Sequence, residues 1–247
     1  MSWPTSANRG HDAARSSLFR TGTLIRTAYA AFSRILVMSG VACVELELPY
    51  HGARNGVGPS IADRFLSCNL GMTVRSVQQS VLDGADVLSW LSMRGYTRLG
   101  VIGASLGSCV AGLLAAHDPR VSATALFLTA GDFAEVVWTG RATRHLRRRL
   151  EQHITLDQLR PAWGLISTAT FAGRLARPDH RIQIIRALRD TVVLPQATEK
   201  FVRQLKSAGA QFSTHTYPCG HYTLGLFPYG ASTLARVMFL LAKAGFY

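Results

Sequence analysis

The sequence predicts an α/β protein whose mostly parallel sheet is doubly wound with helices. Three observations carry this expectation. Apolar runs of strand length alternate with segments of helical period along most of the chain. The 247 residues are 48% hydrophobic and 17% charged, which is enough for one large core and excludes a disordered composition. No apolar run reaches the ~20 residues of a membrane span: the best, Val101 to Ala116, is short and interrupted by Ser105, Ser108 and glycines.

Taken in order, Leu24 to Ser39 reads as a helix ended near Gly40, and Val41 to Leu48 as a strand stopped by Pro49. Val77, Val81, Ala85, Leu88 and Leu91 recur at helical spacing in a segment closed by Gly95. Arg98 to Ala104 is a strand, Leu106 to His117 a helix and Val121 to Ala130 a strand. The later elements are strand Arg181 to Leu188, helix Gln196 to Ser207, strand Gln211 to Tyr217 and helix Ser232 to Ala244. The expectation is one domain, 1–247, with an insertion at about 133–180 that breaks the alternation. Within it, Thr155-Leu-Asp-Gln158 fits a capping box that opens a helix. The insertion is taken as a small helical cap over a site, with a plain connecting excursion as the alternative.

Composition narrows the partners. The net charge of +13 comes from 27 basic and 14 acidic residues, which raises nucleic acid as a partner. The basic residues are nevertheless scattered, and the one dense run, Arg144 to Arg149, comes with no recognition motif. A solvated helix face is expected there, with no specific nucleic-acid binding. Cys43, Cys68, Cys109 and Cys219 are widely spaced and fit neither a metal site nor a disulfide framework, so reduced thiols are expected. The N-terminal stretch lacks the apolar middle of a secretory signal, and the location expected is cytoplasmic.

The chemistry centres on Leu99-Gly-Val-Ile-Gly103-Ala-Ser105-Leu-Gly107, a G-x-S-x-G sequence between an apolar strand and an apolar helix. To project its hydroxyl above a sheet, Ser105 needs a sharp turn and a strained backbone. Gly103 and Gly107 let strand and helix close up without a side-chain collision. The helix N-terminus then offers the Leu106 backbone N–H, with a positive dipole end, to a developing oxyanion.

On these residues the chain resembles the α/β-hydrolase superfamily, in particular its serine hydrolases of esterase and lipase type, from about residue 24 to the C-terminus. The resemblance implies that acid and base follow the nucleophile on loops after late strands. Asp190, after Arg181 to Leu188 and before Thr-Val-Val-Leu-Pro195, matches the acid. His221, in Cys219-Gly-His-Tyr222, matches the base. Asp132 is the alternative acid. His215 lies within a strand and is expected to be structural or exposed. His51, in Leu48-Pro-Tyr-His-Gly52, resembles the family's turn beside the active site and is expected to line the pocket. Trp138 and Tyr222 are the other expected substrate contacts, while Trp163 is expected in the insertion's own core.

The family's usual second oxyanion donor has no clear counterpart. About 23 residues precede the first helix, and only Gly10-His11 and Thr21-Gly22 resemble remnants. A divergent strand near Ser17 to Arg20, a chain that starts late, or a donor from elsewhere would each account for this shortened N-terminal part. The resemblance implies hydrolysis of a small-molecule carboxylic ester through an acyl-enzyme. Uncharged esters of short to medium acyl length are expected, with no metal or organic cofactor. The alternatives are a thioesterase or peptidase of the same fold, or a hydrolase-fold binding protein without turnover. Homo-oligomerisation is left open.

Overall fold

The computed structural model describes residues 15–20, 26–54 and 62–247. Six strands form one parallel sheet in the order β2-β1-β3-β4-β5-β6. They are β1 (Arg15–Arg20), β2 (Ala42–Glu47), β3 (Leu99–Ala104), β4 (Val121–Phe127), β5 (Arg181–Ala187) and β6 (Gln211–Tyr217). Helices α1 (Arg26–Met38), α2 (Ala62–Phe65), α3 (Leu70–Met93) and α4 (Leu106–His117) fill the first crossovers. Helices α9 (Pro195–Ser207) and α10 (Tyr229–Lys243) follow β5 and β6. The mostly parallel, doubly wound α/β sheet read from the sequence is the fold observed.

Strand β1 is a strand at the place where a divergent one near Ser17 to Arg20 is expected. It lies between β2 and β3, with Arg15 opposite both Ala42 and Leu99. Its sequence, Arg-Ser-Ser-Leu-Phe-Arg, holds only two apolar residues, and backbone ladders to two neighbours hold it where periodicity gives no signal.

Side chains alternate across the sheet because the strand period is two. Leu99 and Val101 of β3 and Ile182 and Ile184 of β5 belong to the core on the α3, α4 and α9 face. Ile102, Ala104, Ile185 and Ala187 belong to the core beneath α1 and α10. Strand β3 is buried along its full length, as a central parallel strand covered on both faces must be.

Between β4 and β5 the chain forms α5 (Phe133–Thr139), α6 (Arg144–Leu150), α7 (Leu156–Ala162), two 3-10 turns and α8 (Ala172–Leu175). Thr155 and Gln158 form the capping box that opens α7. Trp163 is buried, meets Phe133 edge-on at 5.5 Å and donates from Nε1 to the Leu70 carbonyl at 3.3 Å. Trp163 therefore ties this segment to α3, in a core position. Helix α6 buries Leu146 and Leu150 and turns Arg144, Arg147, Arg148 and Arg149 to solvent. Among the described residues no helix is long and apolar enough to cross a membrane, and no group of three or more His, Cys, Asp or Glu is arranged to hold a metal ion. No disulfide joins any of the four cysteines.

Candidate active site

Ser105 sits where β3 turns into α4, with φ 52° and ψ −123°. This left-handed backbone is costly for a residue with a Cβ and persists only where the surroundings over-determine it. Two features do so here. The Ser105 N–H donates to the Phe127 carbonyl at 2.9 Å, prolonging the β3–β4 ladder by one bond. A Cβ at Gly103 would overlap the Gly107 carbonyl, so strand and helix approach as closely as glycine permits. Ser108 ties down the first turn of α4 by donating from Oγ to the Ser105 carbonyl at 2.6 Å. Leu106 is the first helical residue, where backbone N–H groups have no partner within the helix.

Asp190 follows β5 in a turn set by its own side chain: Oδ1 accepts from the N–H groups of Val192 at 2.8 Å and Val193 at 2.9 Å. Pro195 then opens α9 from its first turn, where a missing N–H costs nothing. His221 lies beyond β6 on a turn held by Thr223, which accepts from the Gly220 N–H at 2.9 Å. Its Nδ1 stands 2.8 Å from Asp190 Oδ2, and its Nε2 stands 3.0 Å from Ser105 Oγ. An ionised carboxylate only accepts, so Nδ1 carries the imidazole proton and Nε2 presents its lone pair to the Ser105 hydroxyl. Asp190 and His221 are both buried. The structure thus brings Ser105, His221 and Asp190 into one hydrogen-bonded row.

The rival residues are engaged elsewhere. Asp132 caps α5 by accepting from the Glu135 N–H at 3.0 Å and pairs with Arg160 Nε at 3.1 Å. His215 lies in β6, edge-on to Tyr217 at 4.4 Å, and partial burial with Arg236 nearby holds its imidazole below the usual value. His51 has its Nδ1 at 2.9 Å from the Pro49 carbonyl.

A cavity of about 280 Å³ opens at Ser105 and His221. The floor, at the carboxyl ends of β3 and β4, is Ser105, Leu106 and Leu128, with Cys109 one turn into α4. The walls are Leu66 and His51 on one side, and Phe133, Val136, Val137, Thr143, Val192 and Val193 on the other, with Tyr222 at the mouth. Tyr222 is two-thirds exposed and meets His221 edge-on at 5.2 Å. Burial pushes the Cys109 thiol up to about 12, and its Sγ donates to the Ile166 carbonyl at 3.2 Å, so it is an inert lining group. A wider, open depression beside Glu47, Asp83 and Asp86 has neither a serine nor a histidine among its described lining residues.

One expected contact is corrected. Trp138 is not in the cavity lining; its ring is half-buried on the outer side of α5, with the Arg147 guanidinium 5.8 Å from its centroid. Helical phase is the reason, because the face that carries Phe133, Val136 and Val137 inward leaves position 138 turned away. Val136, Val137, Val192, Val193 and Leu128 are among the lining residues that sequence reasoning missed. Val192 and Val193 had a signal, since they fall inside the Asp190-to-Pro195 stretch. The remnants Gly10-His11 and Thr21-Gly22 lie outside the described residues.

A sequence model of the family described as alpha/beta hydrolase domain containing 18 matches residues 4–208. The chain belongs to this family. Among proteins of curated function none matches the sequence. Solved structures resemble this alpha/beta hydrolase domain in fold. A cold-adapted esterase from an Arctic intertidal metagenomic library is 18% identical with a TM-score of 0.61, covering 94% of this chain and 84% of that one. An esterase of Pyrococcus furiosus is 16% identical with a TM-score of 0.64, covering 95% and 84%. The acylaminoacyl peptidase of Pyrococcus horikoshii is 14% identical with a TM-score of 0.69, covering 94% of this chain and 37% of its own.

Proposed function

We propose that this protein is a serine hydrolase that cleaves small carboxylic esters through an acyl-enzyme. The observation that carries the reading is the row Asp190–His221–Ser105 ending at an apolar cavity. In the first step His221 Nε2 takes the Ser105 proton as Oγ attacks the ester carbonyl. Asp190 holds the imidazole in the required tautomer and stabilises the imidazolium. The oxyanion forms beside the Leu106 N–H at the N-terminus of α4, and a donor of this kind contributes roughly 10²–10³ in rate. Collapse expels the alcohol, which takes its proton from His221. Water then enters and gives a proton to His221 as its oxygen attacks the acyl carbon; collapse breaks the acyl–Oγ bond, His221 returns the proton to Ser105 Oγ, and the acid leaves. Side chains, a backbone N–H and water suffice for every step.

The size and lining of the cavity support uncharged esters of short to medium acyl length, since pockets for drug-sized ligands start near ~300 Å³. The segment at about 133–180 acts as the cap, because α5 supplies one wall of the cavity. Tyr222 and His51 contact the substrate at the mouth and on the β2 side. The test is a fluorophosphonate probe on the folded protein, followed by p-nitrophenyl esters from acetyl to decanoyl. Covalent labelling located at Ser105 and saturable hydrolysis of the shorter esters are expected. A folded protein that neither labels at Ser105 nor hydrolyses any ester would overturn the reading in favour of a binding protein.

A further inference from the structure

Ser105 stands between two unlike walls. The sheet order puts β4 and β5 on one side of β3, and β1 and β2 on the other. On the β4–β5 side Val136, Val137, Val192 and Val193 make a mostly hydrocarbon wall, and the Thr143 hydroxyl there donates to the Val137 carbonyl at 2.7 Å. On the β2 side the wall carries a polar ring, His51. The Pro49 carbonyl only accepts, so the 2.9 Å contact requires that His51 Nδ1 hold the proton. The neutral ring then has a lone pair at Nε2, which has no hydrogen-bond partner among the described residues.

The ring is also fixed in place. Tyr50 with φ 62° and Gly52 with φ 50° shape the turn around it, and Phe65 packs edge-on against it at 5.4 Å. The bond to Pro49 accounts for Nδ1 and for the turn, and it leaves Nε2 without a task in the fold. A fixed acceptor without a partner in a mostly apolar cavity lining is the kind of group that fixes orientation and selects a ligand.

We infer that His51 selects the substrate: the site takes esters with one short hydrocarbon arm, held by the valine wall, and a second arm whose hydroxyl donates to His51 Nε2. The inference rests on the acyl-transfer reading of Ser105. A polar wall that is matched only by a hydroxylated arm discriminates against the plain analogue, because that analogue desolvates the acceptor and returns no hydrogen bond.

Two matched pairs test the inference. Propyl butyrate against 2,3-dihydroxypropyl butyrate probes the alcohol arm, and methyl butyrate against methyl 3-hydroxybutyrate probes the acyl arm. The wild-type protein is expected to favour the hydroxylated member of one pair by about 3–10-fold in kcat/KM, the range of one neutral hydrogen bond. His51→Phe keeps a ring against Phe65 and should bring that ratio to one or below. His51→Gln restores an acceptor oxygen and should recover part of it. A purely structural histidine would lower both members of a pair together and leave the ratio alone, and each ratio is internal to one protein, so a smaller folded fraction cancels. Equal rates within both wild-type pairs, or a preference that survives His51→Phe, would overturn the inference. The same pairs measured as Kd on Ser105→Ala read His51 without turnover. A ratio preserved there in a protein that fails to label would sink the acyl-transfer reading alone.

Discussion

The floor and the wall of the cavity are built by different means. The floor hangs on strand ends. Ser105 after β3 and Leu128 after β4 share a φ of 52°, and each donates its N–H to the next strand, to Phe127 at 2.9 Å and Ile185 at 2.8 Å. The backbone itself sets where these side chains point. The wall at Phe133, Val136 and Val137 hangs on the seven-residue helix α5, which packs with α6 and α7 and whose placement depends on side chains: Trp163 on α3, the Asp132 pair with Arg160, and Leu146 and Leu150 beneath the arginine face. For the hydrolase proposed above, the difference teaches that the chemistry would be lodged in the ladder of the sheet, and selectivity left to elements that substitution can re-tune.

The strongest way to break this comparison is to remove the chemistry from the floor. Ser105→Ala or His221→Ala should lower kcat/KM for p-nitrophenyl butyrate by roughly 10⁴ or more, and combining them should add little, since the residues act as a unit. Asp190→Asn should lose roughly 10⁴, because the wrong tautomer would face Ser105. Asp132→Asn belongs to the wall and should cost at most about 1 kcal/mol through its weakened pair with Arg160. Kinetics with a melting curve on each variant decide it: an active Asp190→Asn beside a dead Asp132→Asn would reverse the assignment.

A second test contrasts two glycines. The Cβ of Gly103→Ala would overlap the Gly107 carbonyl, which forces the elbow apart and costs about 1–3 kcal/mol of stability. Even a displacement of ~1 Å at the nucleophile can cost about 10² in rate. Gly173, in α8 of the wall, has nothing within 4 Å of an added Cβ. Gly173→Ala should leave the rate within about twofold and stabilise by up to about 1 kcal/mol, the helix-propensity difference. Equal behaviour of the two variants in melting and in kcat would remove the distinction between floor and wall.

His180 offers a third test at the seam where the wall rejoins the sheet. Its ring is fully buried, with Nε2 at 2.8 Å from Thr124 Oγ1 of β4 and Nδ1 at 2.9 Å from the Leu175 carbonyl of α8. Burial, aided by Arg177, pulls its value down from 6.5 to about 4, against the pull of the Leu175 carbonyl and Asp179. Above pH 6.5 the ring is neutral in both folded and unfolded chains. Between pH 6.5 and about 4 the unfolded chain binds a proton that the folded one refuses, so stability falls as pH drops through that window. The loss reaches up to about 3 kcal/mol. Hydrogen exchange at pH 5 should therefore accelerate in α6 to α8 before it does in β3 and β4, and His180→Gln should flatten the trend. Uniform protection across both regions at pH 5 would mean that the seam is not where acid acts.

The same contrast explains what the sequence made legible. Gly103-Ala-Ser105-Leu-Gly107 announces its geometry because a tight strand–helix turn demands glycine at fixed offsets. Asp190 and His221 are legible only through the resemblance to the family, whose acid and base sit on loops after late strands. Leu128 shares the positive φ of Ser105 with no glycine beside it in Phe127-Leu-Thr-Ala, so nothing in the local sequence marks it. Strand β1 escaped for a related reason: in Arg-Ser-Ser-Leu-Phe-Arg the strand is specified by neighbours far along the chain rather than by its own pattern. The wall was read as apolar material over the site, and its facing was not, because in a seven-residue helix the inward side is fixed by tertiary contacts and one residue of phase is 100°.

The smallest expected effect comes from that phase. Trp138 is the bulkiest apolar residue of α5 and sits beside the two valines that line the cavity, yet its ring is absent from that lining and packs half-buried against the core, with the Arg147 guanidinium 5.8 Å from its centroid. Trp138→Ala should therefore leave KM and the ranking of acetyl to decanoyl esters within about twofold, and should remove an exposed cation–π contact of about 0.5–1 kcal/mol along with some packing. Val136→Phe, two positions earlier and in the lining, fills space that a longer acyl chain would use. It should depress octanoyl relative to butyryl hydrolysis by about tenfold or more, the usual scale for methylenes that no longer fit a pocket. The two variants measured side by side across the ester series give the result its meaning. If Trp138→Ala moves the chain-length profile and Val136→Phe does not, the wall faces the site through its other side, and the cavity drawn between α5 and Ser105 is not where the acyl chain lies.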